Sequence, residues 1–165
     1  MLDEKIFEDI GTEVKRIDKL FEDYEPLLEK VKNQEPDFIE IGSLAMMRHS
    51  FYNGLENIFN RIARKIDKNI PGGQNWHKKL LEQMSKRTKN RKHEVLSAEV
   101  TVELKEYLGF RHFSRHSYAF DLDWNLMKDL VLRSDEVREK VLDEIRSFIK
   151  KMTLNGKDQD PDKKT

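Results

Sequence analysis

Apolar residues fall at Ile6, Ile10, Val14, Ile17, Leu20, Phe21, Tyr24, Leu28 and Val31, with Lys, Asp and Glu in most of the places between. Steps of three and four residues mark a single buried stripe and predict one long amphipathic helix. Pro26 lies inside that pattern and predicts a kink or a new turn. The run Asn33-Gln-Glu-Pro36 then ends it. A second stripe, Ile41, Leu44, Ala45, Tyr52, Leu55, Ile58, Phe59 and Ile62, predicts a helix from near Asp37 to about Asp67. Asn69-Ile-Pro-Gly-Gly73 is a loop by its turn residues. A shorter amphipathic helix follows, with Trp76, Leu80, Leu81 and Met84.

Beyond it, Ser97 is placed to cap a fourth helix, with Glu99 and Glu103 near the positive helix end. That helix carries Val100, Leu104 and Leu108 into the segment Arg111-His-Phe-Ser-Arg-His-Ser-Tyr118. Ala119–Asp123 reads as a bend. A last helix from Asp123 or Trp124 carries Leu126, Leu130, Val137, Val141, Ile145 and Phe148. From about Leu154 the chain is polar and lysine-rich, and a disordered tail is expected there. The expected architecture is all-α, an antiparallel bundle of four to five helices over residues 1–153, with a tail at 154–165.

Composition narrows the chemistry. With 165 residues there is room for one domain with a real core. Apolar residues make up 37% and charged residues 38%, so the surface is heavily charged and the core only moderately large. Lys plus Arg equals Asp plus Glu at 31 each, so any attraction for nucleic acid must come from a local patch. The basic run Lys86, Arg87, Lys89, Arg91 and Lys92 fits either such a patch or a solvated loop. There is no cysteine, which excludes disulfides, thiol catalysis and thiolate metal ligands. No apolar run approaches the roughly 20 residues needed to span a bilayer. The N-terminus lacks the pattern of a signal peptide, and the expected compartment is the cytoplasm.

The Arg111–Tyr118 segment concentrates the candidate chemistry. On a helix turning about 100° per residue, Arg115 lies about 40° from Arg111 and Tyr118 about 20° the other way. His112 and His116 lie at about 100° and 140°. Two guanidinium groups and a phenol thus share a face, with two imidazoles flanking it. Cleavage of an RNA phosphodiester needs a base for the ribose 2′-hydroxyl and a fixed cation for the developing phosphorane charge. Histidine titrates near neutral pH, and nearby Arg111 and Arg115 disfavour imidazolium at His116. The planar fork of arginine suits phosphate oxygens. Spacing alone also fits an ordinary solvated helix face.

Arg111-x4-His116-x-Tyr118 matches the signature of the HEPN superfamily, in the form found in HepT-like toxins. The context resembles that family too. Tyr107-Leu-Gly-Phe-Arg-His precedes the motif core, Phe120-Asp-Leu-Asp-Trp124 follows it, and Phe51-Tyr-Asn-Gly-Leu-Glu-Asn-Ile58 looks like the family's second helix. The resemblance covers about residues 1–150. It implies a metal-independent ribonuclease without a cofactor, acting as a homodimer whose two Arg/His motifs face each other. It further implies an antitoxin partner, a nucleotidyltransferase of the MNT type, and an RNA substrate such as tRNA or mRNA. Arg111 would polarise the scissile phosphate, His116 would transfer the proton, and Tyr118 would be the site where adenylate is attached. Where many relatives carry Asn or Asp after the motif arginine, this chain has His112.

Other arrangements compete with this one. A non-catalytic module could bind RNA, a nucleotide or a nucleotidyltransferase through the same surface. His112 and His116 also have the four-residue spacing of zinc ligands, although Phe113 stands where the metalloprotease form needs Glu. A third ligand would then have to come from Asp121, Asp123 or Glu56. On the second helix, His49, Tyr52, Asn53 and Glu56 form a polar seam, and Asn53 or Glu56 is placed to support the motif from the bundle interior. Trp76 and Trp124 read as core or interface residues.

Overall fold

The computed structural model describes residues 4–115 and 118–157. Six α-helices form among them: α1 (Glu4–Lys30), α2 (Phe38–Ile62), α3 (Trp76–Met84), α4 (Ala98–Arg115), α5 (Trp124–Leu132) and α6 (Ser134–Lys157). No strand occurs among the described residues, where Thr88 and Arg91 form an isolated bridge. The all-α bundle expected from the hydrophobic pattern is what the chain builds.

The helix starts follow from capping groups. The Asp37 carboxylate accepts from the backbone N–H of Glu40 at 2.8 Å, satisfying a donor that the first turn of α2 leaves open. Ser97 Oγ accepts from Val100 N–H at 3.2 Å and opens α4 as the sequence predicts. At the far end of α2 the helix widens into a π-turn, Ala63–Asp67, and Lys68 stops it in the left-handed region at φ 54°. Pro26 does not break α1, which continues through it to Lys30.

Contacts between α1 and α2 run in opposite chain directions. Tyr24 Oη meets Ser43, the Phe21 and Phe51 rings meet edge to face at 5.2 Å, and Arg61 donates to the carbonyl of Asp9. The pair is therefore antiparallel. Gly54 permits the approach, because a Cβ there would stand 2.8 Å from Ile17 Cγ1. Helices α4 and α6 are antiparallel as well, with Ser97 N–H bonded to Glu144 and Lys140 paired to Glu103. Ile10, Phe51, Leu55, Ile58, Leu80, Leu104, Val141 and Ile145 fill the main core. A smaller apolar cluster of Val31, Leu44, Ala45, Trp124, Met127 and Val131 closes the end where α2 meets α5.

Three features differ from the sequence reading. The last helix is two helices: α5 ends at Leu132, where the Ser134 hydroxyl donates to the carbonyl of Val131 at 2.7 Å, and α6 starts at Ser134. Leu126, expected in the stripe, is exposed. Helix α6 also runs through residues 154–157, which the pattern assigned to the tail, while 158–165 lie outside the described residues. No helix among the described residues is long and apolar enough to cross a membrane.

Candidate functional site

The site is built where the C-terminal end of α4 meets α2. Helix α4 is fixed from below by Tyr107, which is buried, packs edge to face on Phe51 at 5.9 Å and donates its hydroxyl to the carbonyl of Leu130 at 2.7 Å. Burial pushes the Tyr107 phenol well above its ordinary pKa, so it stays protonated and keeps that bond. Arg111 follows Tyr107 by one turn, and Arg111, His112 and Arg115 all lie on the last turns of α4, their side chains outside what the structure describes. Basic residues suit that end, where the helix dipole is negative. His116 lies outside the described residues.

Tyr118 lies outside any helix, just before a short 3₁₀ turn, Ala119–Asp121. Two bonds hold that turn: Asp121 N–H donates to the carbonyl of Tyr118 at 2.9 Å, and Tyr118 N–H donates to the Asp121 carboxylate at 3.2 Å. Tyr118 is 73% exposed, and its ring stacks nearly parallel on that of the equally exposed Phe120, with centroids 5.1 Å apart. Its hydroxyl is therefore reachable by a second protein. The exposed pair also presents a flat aromatic surface beside the motif.

The polar seam on α2 is present. Asn53 and His49 share a hydrogen bond at 3.0 Å, both half-buried. The Glu56 carboxylate, buried in the bundle, is 2.6 Å from Nδ1 of His77 on α3. The three carboxylates considered as a third metal ligand all have other engagements: Glu56 with His77, Asp121 with Tyr118, and Asp123 as the cap of α5, accepting from Asn125 N–H at 2.9 Å. Among the described residues no cluster of three His, Asp or Glu is placed to hold a metal ion. Trp124 is a core residue, and Trp76 is half-buried against His77.

The basic run loses one member. Arg91 is buried, its Nε 2.8 Å from Asp67 Oδ1, and it donates further to the carbonyls of His93 and Gln83. It anchors the loop and offers no charge to a ligand. Lys86, Arg87, Lys89 and Lys92 remain on the surface, with Arg87 paired to Glu94 at 3.3 Å.

A residue the sequence did not single out packs against α4 just before the motif begins. Arg48 of α2 is 2% exposed, and its guanidinium carbon is 3.8 Å from the centroid of Phe110 and 5.2 Å from that of Tyr107. Its place on the buried stripe, between Leu44 and Phe51, was the available signal.

An all-helical bundle with an Arg-x4-His-x-Tyr motif starting on the last turns of α4 defines the HEPN class of protein. A family model described as HepT-like protein matches residues 43–152, which run from within α2 through most of α6. The chain belongs to the HepT-like family. Comparison with curated proteins and with solved structures gave no match.

Proposed function

We propose that this protein is a metal-independent RNA endonuclease and the toxin of a toxin–antitoxin pair. The observation that carries the reading is a HepT-like bundle in which Arg111, the first residue of the Arg-x4-His-x-Tyr motif, lies on the last turns of α4, with Tyr118 exposed beyond it. In this reading two copies bring their motifs together. His116 of one copy takes the proton of a ribose 2′-hydroxyl as the 2′ oxygen bonds to phosphorus. The bond from phosphorus to the 5′ oxygen breaks, and His116 of the other copy, as imidazolium, protonates that leaving oxygen. Arg111 from each copy stabilises the negative charge that builds on the phosphorane oxygens. The products are a 2′,3′-cyclic phosphate and a free 5′-hydroxyl.

Arg115 and His112 flank the scissile group as RNA contacts. Asn53 and Glu56 support the motif from α2, and Lys86, Arg87, Lys89 and Lys92 attract the strand through its phosphates. Tyr118 is the switch: an adenylate placed there by a nucleotidyltransferase of the MNT type puts a phosphate beside Arg111 and Arg115, where it competes with RNA by charge and bulk. The protein then works in the cytoplasm.

Incubating wild-type, Arg111→Ala and His116→Ala proteins with tRNA and total RNA in EDTA tests this reading. Cleavage to cyclic-phosphate ends by the wild type alone supports it. Undiminished cleavage by a folded His116→Ala variant refutes the catalytic assignment.

A further inference from the structure

Two arginines, Arg48 and Arg91, are buried among the described residues, and they are held in opposite ways. Arg91 directs its donors onto Asp67 and onto the carbonyls of Gln83 and His93. Arg48 directs its donors onto nothing: Nε and both Nη atoms are shielded from solvent and have no hydrogen-bond acceptor. Buried polar groups are nearly always paired, so an orphaned guanidinium points to a partner that arrives from outside the chain. Two rings hold the cation by their faces and leave its N–H donors unused. Burial lowers its pKa to about 10, which still leaves it charged at neutral pH.

Its location says which partner. Phe110, the nearer ring, immediately precedes Arg111 in α4. Tyr107 is fully packed and tied to Leu130, whereas Phe110 is only half-buried, so Phe110 is the side from which the guanidinium can be uncovered. A planar five-donor fork matches two phosphate oxygens at once, and a lysine would not.

We propose that Arg48 is a phosphate-binding residue of the motif site, receiving a phosphate group of the RNA strand on its unpaired guanidinium when Phe110 turns aside. The inference rests on the ribonuclease reading for the identity of the strand, and it adds a buried anchor contributed by α2. It also gives Phe110 a role as the cover over that anchor.

The test measures binding of inorganic phosphate to the full chain at constant ionic strength, by titration calorimetry, with acetate run alongside. Four proteins are compared: wild type, Arg48→Met, Phe110→Ala and the double variant. Phe110→Ala leaves the guanidinium in place and removes its cover, and should bind phosphate about fivefold more tightly than wild type. Adding Arg48→Met should abolish that gain and lower affinity about tenfold below Phe110→Ala, the factor expected for loss of one charge-assisted contact of about 1.4 kcal/mol. Phosphate affinity that ignores Arg48 in both backgrounds overturns the proposal. So does a preference for acetate over phosphate, since the guanidinium would then await a protein carboxylate. Should Arg48→Met fail to fold, Phe110→Ala decides alone, and no gain in phosphate affinity overturns the proposal. Phosphate binding does not depend on turnover, so it separates the two readings. Arg48-dependent binding by a protein that cuts no RNA removes the ribonuclease reading and leaves the anchor. RNA cleavage with Arg48-independent phosphate binding does the reverse.

Discussion

Arg48 and Arg91 are the same residue type at the same depth, and their hydrogen bonds predict opposite responses to one substitution. Removing Arg91 leaves Asp67 charged and buried with Thr88 and Gln83 as its remaining side-chain donors. Breaking such a pair costs about 3–5 kcal/mol. Arg91→Met should therefore lower the urea midpoint sharply. Arg48 is different, because the fall in its pKa to about 10 corresponds to a penalty of about 3 kcal/mol on the charged form. The two rings return about 2 kcal/mol. Arg48→Met should leave stability unchanged or raise it, and a loss as large as that of Arg91→Met would show that the guanidinium is well paired after all. The pH dependence has a definite sign. The folded pKa lies below the unfolded one, so the penalty is full below about pH 10 and is relieved as pH rises through that value. Any advantage of Arg48→Met over wild type should shrink between neutral pH and pH 11 in paired urea titrations. None of this is visible from residue types: the pairing of Asp67 with Arg91 spans 24 residues and depends on the loop that brings them together.

At the scale of elements, period and caps carried most of the information. The stripes on α1 and α2, the loop at 69–73 and the Ser97 cap all read directly, because each rests on a local rule that the core does not override. The break before α6 was missed because Leu132-Arg-Ser-Asp-Glu136 continues a helical pattern of charged and apolar residues, and only the hydroxyl of Ser134 reveals the restart. Pro26 predicts a kink or a new turn, yet α1 continues through it to Lys30, packed along α2. A helix-interior proline forfeits one backbone bond at a cost of about 3 kcal/mol, partly offset by about 0.4–1 kcal/mol from stiffening the unfolded chain. Pro26→Ala, at an exposed position, should then raise stability by about 2 kcal/mol by denaturant titration. Gly54 works in the other direction. Gly54→Val would drive a branched side chain into Ile17, and overpacking of this kind costs about 1–3 kcal/mol. A variant as stable as wild type would mean that α1 and α2 approach less closely than 2.8 Å implies.

On the scale of the whole molecule, the end of α4 carries the start of a motif rich in cations, and the exposed Tyr118–Phe120 stack follows it in the chain. The motif itself was legible in the sequence because its chemistry is contiguous. Arg48 was not, since it comes from α2 and meets Tyr107 and Phe110 of α4 only through the fold. The net charge of zero makes the local cations decisive. Affinity for RNA should fall steeply with salt, and reversing Lys86, Lys89 and Lys92 to Glu should weaken binding while leaving the cleavage chemistry intact. Unchanged binding in filter assays across a salt series would remove that loop from the interface.

The most direct measurement is cleavage of tRNA and total RNA in EDTA by wild-type, Arg111→Ala and His116→Ala proteins, with the ends of the products analysed and Tyr118 checked by mass spectrometry to be unmodified. The account predicts 2′,3′-cyclic phosphate ends from the wild type and a loss of at least a hundredfold in either variant, the ordinary scale of a positioned acid–base group. No cleavage by folded, unmodified wild-type protein, or full cleavage by His116→Ala, would contradict it.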